Sequence, residues 1–155
     1  MFAACKFVLA GLTAASCLAQ DAPPQMQTAP MIAHIEMLKS KAEGKGEADR
    51  GRLYADIAHE LVELANAQFT NGEPDKGQAS IKSAVGYAEK AANSAEEKGH
   101  KIKNAEITLR ETARRIEEVR KTLDIDNQPP LKDAVDRLEQ LRKQLLQRMF
   151  GDDKK

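Results

Sequence analysis

Three histidines, and no cysteine beyond position 17, bound the side-chain chemistry this chain can carry. A zinc-dependent hydrolytic site on a helix needs two histidines one turn apart, with a glutamate beside the first as base. His59 and Glu60 supply half of that pattern, but Glu63 stands where the second histidine would be. Asp56 with His59, and Glu97 with His100, have the carboxylate-to-histidine spacing that holds metal ions inside helical bundles. Such ligands must face inward, yet Asp56, His59 and Glu63 fall opposite Leu61 and Leu64, and Gly99 separates Glu97 from His100. His34 lies near an apolar stripe, where partly buried packing is the expected role. No Gly-rich phosphate loop, nucleophile elbow or histidine-based triad spacing is present. The expectation is a chain without catalytic residues, cofactor or metal, in which Asp56, His59, Glu63, Glu97 and His100 are the candidates to test.

Binding chemistry points to a second set. Arg110, Arg114, Arg115 and Arg120, with Lys121, make one stretch basic, while Asp56, Glu60 and Glu63 make another acidic. The four arginines are the candidate partner-binding residues, suited to an acidic protein or a head-group surface. Glu106, Glu111, Glu117 and Glu118 interleave with them, so ion pairs within the helix compete for the same charges. Overall, 24 basic residues balance 24 acidic ones. That balance sets nucleic acid aside, because phosphate-driven binding needs a net basic surface.

The first residues read as an export signal. Lys6 precedes an apolar stretch from Phe7 to Ala19 that ends in small residues before Gln20 and Asp21, with Cys17 and Ala19 at the two positions a signal peptidase reads. The stretch is short of the roughly 20 residues that span a bilayer, and no later segment is apolar enough, so no transmembrane segment is expected. Lipidation at Cys17 is disfavoured, since Ala14 stands where leucine is usual. Cleavage near Ala19 removes both cysteines, and the product, of about 135 residues, is long enough for one packed domain. A bacterial periplasmic or secreted location follows from this reading.

The elements that position these residues are helices. Few aromatics, no tryptophan, and abundant Ala, Glu, Lys, Leu and Arg place the chain in the long-helix class. After a signal at 1–19 and a flexible leader at 20–29, the spacing predicts one helical domain over 30–150 and a charged tail at 151–155. Its helices are expected at about 30–41, 48–70, 76–98, 101–124 and 131–149, with Thr28 as the first cap. Leu53, Ile57, Leu61, Leu64 and Ala65 form one stripe, which predicts a surface helix with a single buried face. Thr70 to Asp75 break the pattern, and an alanine-rich stripe follows from Ile81 to Ala92. Leu109, Thr112, Ile116, Val119 and Leu123 alternate steps of three and four, as do Leu131, Ala134, Leu138, Leu141 and Leu145. The fold class is therefore all-α: antiparallel hairpins packed as a small bundle or repeat-like array, with a coiled-coil-like C-terminal pair. In that register Leu64 faces Ile81, Ile57 faces Ala88, Ile116 faces Leu138 and Leu109 faces Leu145. Each hairpin alone leaves one side of its seam wet, so the two must pack together or on a second copy.

Over about Leu61 to Ala91 the first hairpin resembles a tetratricopeptide repeat. Leu61, Leu64 and Ala65 match its first-helix positions, Gly72 its turn glycine, and Ile81 and Ala84 its later apolar and small places. Gly77 stands where alanine is usual, Gln68 where tyrosine is, and Glu89 where proline normally closes the repeat. Such a unit buries its face only by stacking, so the resemblance implies that other helices complete the core. It also implies a scaffold that binds protein, and it brings no catalytic residue. The function expected is an exported scaffold or adaptor that binds another protein or itself; the competing reading is a small metal-binding bundle.

Overall fold

The computed structural model describes residues 27–95 and 99–150, with backbone alone at 47–49, 95 and 99–102. Five helices run in order: α1 (Thr28–Glu43), α2 (Glu47–Thr70), α3 (Pro74–Ala95), α4 (Gly99–Lys121) and α5 (Pro129–Phe150), with a 3-10 turn at Ile125–Asn127 before the last. The protein is all-α, and among the described residues there is no strand. The expected signal, most of the leader, the charged tail and the predicted end of α3 at 98 lie outside the described residues.

Helix ends differ from expectation for identifiable reasons. Thr28, expected as a cap, is the first residue of α1, and the extended Gln27 before it makes no side-chain cap. Pro74 and Pro129 open α3 and α5 instead of standing outside them. Proline's fixed φ suits the first helical position, and the N–H it lacks would have no partner there. Gly99, expected to end α3, begins α4. At the other end of α4, Thr122 and Leu123 donate to Val119 and Arg120, three residues back, which tightens the final turn and stops the helix short of 124.

The α2–α3 turn is built by backbone bonds. Glu73 N–H donates to Gln68 and Gly72 N–H to Phe69, satisfying two end carbonyls of α2. Gly72 takes φ 75°, a conformation a side chain disfavours. Just beyond, the Phe69 ring lies over Gly77, where an added Cβ would come within 2.7 Å of it. That contact accounts for glycine at a place where the repeat family has alanine.

The prediction of a surface helix with one buried face fails for α2. Ile57, Leu61, Leu64 and Ala65 are buried as expected, but so are Ala58, Val62 and Ala67, which widen the buried arc well beyond the predicted stripe. α2 contacts α1, α3 and α4, and its interface with α3 is the most extensive in the molecule. Ala84, Ala88 and Ala92 of α3 are buried against this core, their short side chains allowing close backbone approach. Phe69 over Gly77, and Gly51 beside Ser94, mark the two ends of the antiparallel pair and place Leu64 and Ile57 near Ile81 and Ala88.

α4 and α5 bury the two expected seams, with Leu109, Ile116, Val119, Leu131, Leu138 and Leu145 all at or below 2% exposure. One apolar cluster runs through both hairpins and includes Ile35, Leu38 and Ala42 of α1. Inside it, Ser80 of α3 donates to the Gln68 side chain of α2 at 2.7 Å. Both are buried, so each satisfies the other's polar group where water cannot.

Candidate functional site

Polar side chains that join the helices claim much of the charge read from the sequence. The Arg115 guanidinium of α4 grips Glu63 of α2 through two parallel bonds, Nε to Oε1 at 2.5 Å and Nη2 to Oε2 at 2.7 Å. Arg142 of α5 holds Glu106 of α4 at 2.6 Å, and Arg137 of α5 holds Glu89 of α3 at 2.7 Å. Arg120 bonds Glu117 on its own helix and the Gln128 amide oxygen after it, tying the α4 end to the α5 start. Two of the four candidate partner-binding arginines, Arg115 and Arg120, are thus engaged within the fold. Arg110 and Arg114 are exposed, Arg114 lying 3.4 Å from Glu118.

The bidentate pair sets the protonation of its acid. Arg115's hydrogen bonds hold the Glu63 carboxyl below its ordinary range, outweighing the opposite push of partial burial, and the same bonds raise Arg115. A carboxyl depressed in the fold contributes stability above its unfolded-state pKa and loses it as pH falls through the folded value. Glu63→Gln is therefore expected to cost about 1 kcal/mol at neutral pH, allowing for solvent screening of a half-exposed pair. The gap between the two urea midpoints should close as pH falls below the ordinary carboxylate range and through the depressed folded value. A gap that is constant with pH would assign the loss to packing.

Concavities among the described residues lie around this frame. Between α1, α2 and α4 a cleft of about 370 Å³ is lined by His34, Leu38, Asp56, His59, Glu60, Thr108, Glu111 and Thr112. The expected candidates divide here. Asp56 and His59 are exposed and share the cleft with His34, which is exposed and not packed in the core as its sequence neighbourhood implied. Glu63 is turned to Arg115. Glu97 lies outside the described residues, and of His100 only the backbone is described. Among the described residues no three His, Cys, Asp or Glu side chains are grouped so as to hold a metal ion.

A second concavity, of about 290 Å³ between α1, α2 and α3, contains Tyr54 and Tyr87 with ring centres 5.9 Å apart. Lys90 sits 4.6 Å from the Tyr87 ring centre, so an ammonium of the chain already covers that aromatic face. A third, of about 540 Å³, is a groove between α3 and α5. Its floor is Ile81, Val85, Pro130 and Ala134, and its rim carries Asp75, Lys82, Asp133 and Arg137. Nothing in the residue pattern marks this groove, because its two walls, α3 and α5, are far apart in the chain and Ile81 and Ala134 read there as members of separate seams.

Comparison with known proteins finds no family model, no curated protein and no solved structure that matches this chain. No described helix is long and apolar enough to cross a membrane.

Proposed function

We propose that this protein is an exported helical scaffold that binds another polypeptide in the groove between α3 and α5, without catalysing a reaction. The observation that carries the reading is the groove's construction. An apolar floor formed by Ile81, Val85 and Ala134, rimmed by charges of both signs, is the anatomy of a polypeptide interface: the floor excludes water and the rim selects the partner. Export rests on Lys6, the apolar stretch from Phe7 and the small residues before Gln20. A second copy of the chain is the competing occupant, because seams of this type are readily shared.

A photo-crosslinking side chain at Val85, introduced into the full chain in cells that export it, tests the proposal. A discrete polypeptide adduct is expected from Val85 and none from Lys143 on the exposed side of α5. An adduct of twice the chain's own mass identifies self-association. Absence of any adduct at Val85, or equal adducts at both positions, would refute the groove as the binding surface.

A further inference from the structure

The cleft between α1, α2 and α4 shares no residue with the proposed groove and has a different chemistry. Three carboxylates line it, Asp56 and Glu60 from α2 and Glu111 from α4, and among the described residues no lysine or arginine does. Elsewhere Glu36, Glu63, Glu89, Glu106, Glu117 and Glu118 each hold a basic side chain of the protein, whereas these three hold none among the described residues.

Thr112 adds an independent observation. It is only 3% exposed, yet its hydroxyl makes no hydrogen bond. Other helical hydroxyls, those of Thr70, Ser83 and Ser94, donate to the carbonyl one turn back. No fully enclosed polar side-chain atom among the described residues lacks a partner, so the Thr112 hydroxyl keeps a small exposure, and Thr112 is one of the residues that line the cleft. A nearly buried polar group kept without a protein partner is a place where a ligand supplies one. Leu38, 8% exposed, gives the same cleft an apolar wall.

We propose that this cleft receives an organic cation, an alkyl chain ending in an ammonium or guanidinium group. The carboxylates meet its charge, the threonine hydroxyl accepts one of its N–H groups, and Leu38 packs against its methylenes. The volume, about 370 Å³, lies at the small end of ligand sites and suits one such chain. Acidic and imidazole donors spread round a cavity, with no three grouped for an ion, match an extended organic cation better than a metal. The same chemistry can arrive as a free diamine or as the arginine or lysine side chain of a polypeptide.

The test is an amide-shift titration of the isotopically labelled chain at physiological salt, with 1,5-diaminopentane in one series and the blocked tripeptide Gly-Arg-Gly in the other. Saturating shifts are expected at Thr108, Glu111 and Thr112. Affinity should fall at least tenfold in Glu111→Gln, an exposed position whose change leaves the core intact, and should be unchanged in Glu118→Gln on the same helix. Thr112→Val, of equal volume, should weaken binding severalfold with the thermal midpoint preserved. Tighter binding of the tripeptide assigns the cleft to a basic polypeptide, and tighter binding of the diamine assigns it to a free amine. Shifts that never saturate, that scatter over the surface, or that respond equally to both glutamate variants would overturn the proposal. So would zinc at micromolar concentration shifting His34 and His59 while neither cation binds. A failure here leaves the groove reading intact, because crosslinking at Val85 does not depend on this cleft.

Discussion

Val62→Asp is expected to abolish cooperative folding. Val62 is fully buried on the side of α2 away from the predicted stripe, so an aspartate there would be an ionised group with neither water nor a cation to meet it. Removing a carboxylate from water without a partner costs several kcal/mol, at least about 3, a large part of what holds a domain of this size. The paired control is His59→Asp, less than one turn away on the same helix but exposed, where the change should stay within about 0.5 kcal/mol. Thermal unfolding followed by far-ultraviolet circular dichroism reads both. Equal melting of the two variants would mean that α2 has only one buried face.

Leu138→Ala tests the other half of the molecule. Leu138 of α5 is fully buried in the seam with α4, and truncating such a leucine leaves a cavity whose walls relax only in part. The expected cost is about 2–5 kcal/mol, a drop in thermal midpoint of roughly 10 °C or more. Leu138 also belongs to the cluster that contains Ile57 and Ala84 of the first hairpin, so the whole molecule should lose stability together. A variant that melts in two steps, with the first hairpin unchanged, would show that the hairpins are separate folding units.

What the residues revealed in advance follows from how side chains announce their position. Leucine and isoleucine at steps of three and four are unambiguous, so the buried seams of α4 and α5 were readable, as was the break at Gly72 and Pro74. Alanine is not. Ala58 and Ala67 suit an exposed helix as well as a crowded one, and only the packing of the neighbouring helices against α2 shows that they are buried. Long-range polar pairs were hidden for a related reason. Glu63 and Arg115 stand 52 positions apart and Glu106 and Arg142 stand 36 apart, while closer opposite charges offered plausible partners for each.

The candidate sites were less legible than the fold. Asp56 and His59 were correctly placed on the polar side of α2, but a polar side can also be the wall of a cleft. Which it is depends on α1 and α4, whose contributions His34 and Glu111 come from 22 residues before Asp56 and 55 after it. Of the four arginines, Arg115 fastens α4 to α2 and Arg120 ties the end of α4 to the start of α5, and Arg110 and Arg114 remain on the open surface. Charge in a sequence marks where ion pairs can form, and packing decides whether the partner is internal or external.

The central claim is that both hairpins and α1 share one core with α2 at its centre, and the two tyrosines allow it to be measured directly. Tyr54 and Tyr87 are the only tyrosines, the chain has no tryptophan, and both rings lie in the first hairpin. The tyrosine band of the near-ultraviolet dichroism in urea therefore follows α2 and α3, while the far-ultraviolet signal follows every helix. A single core predicts coincident transitions by the two probes, in the native sequence and again in Leu138→Ala, with both midpoints moving by the same amount. A tyrosine transition that keeps its native midpoint when Leu138 is truncated would contradict it.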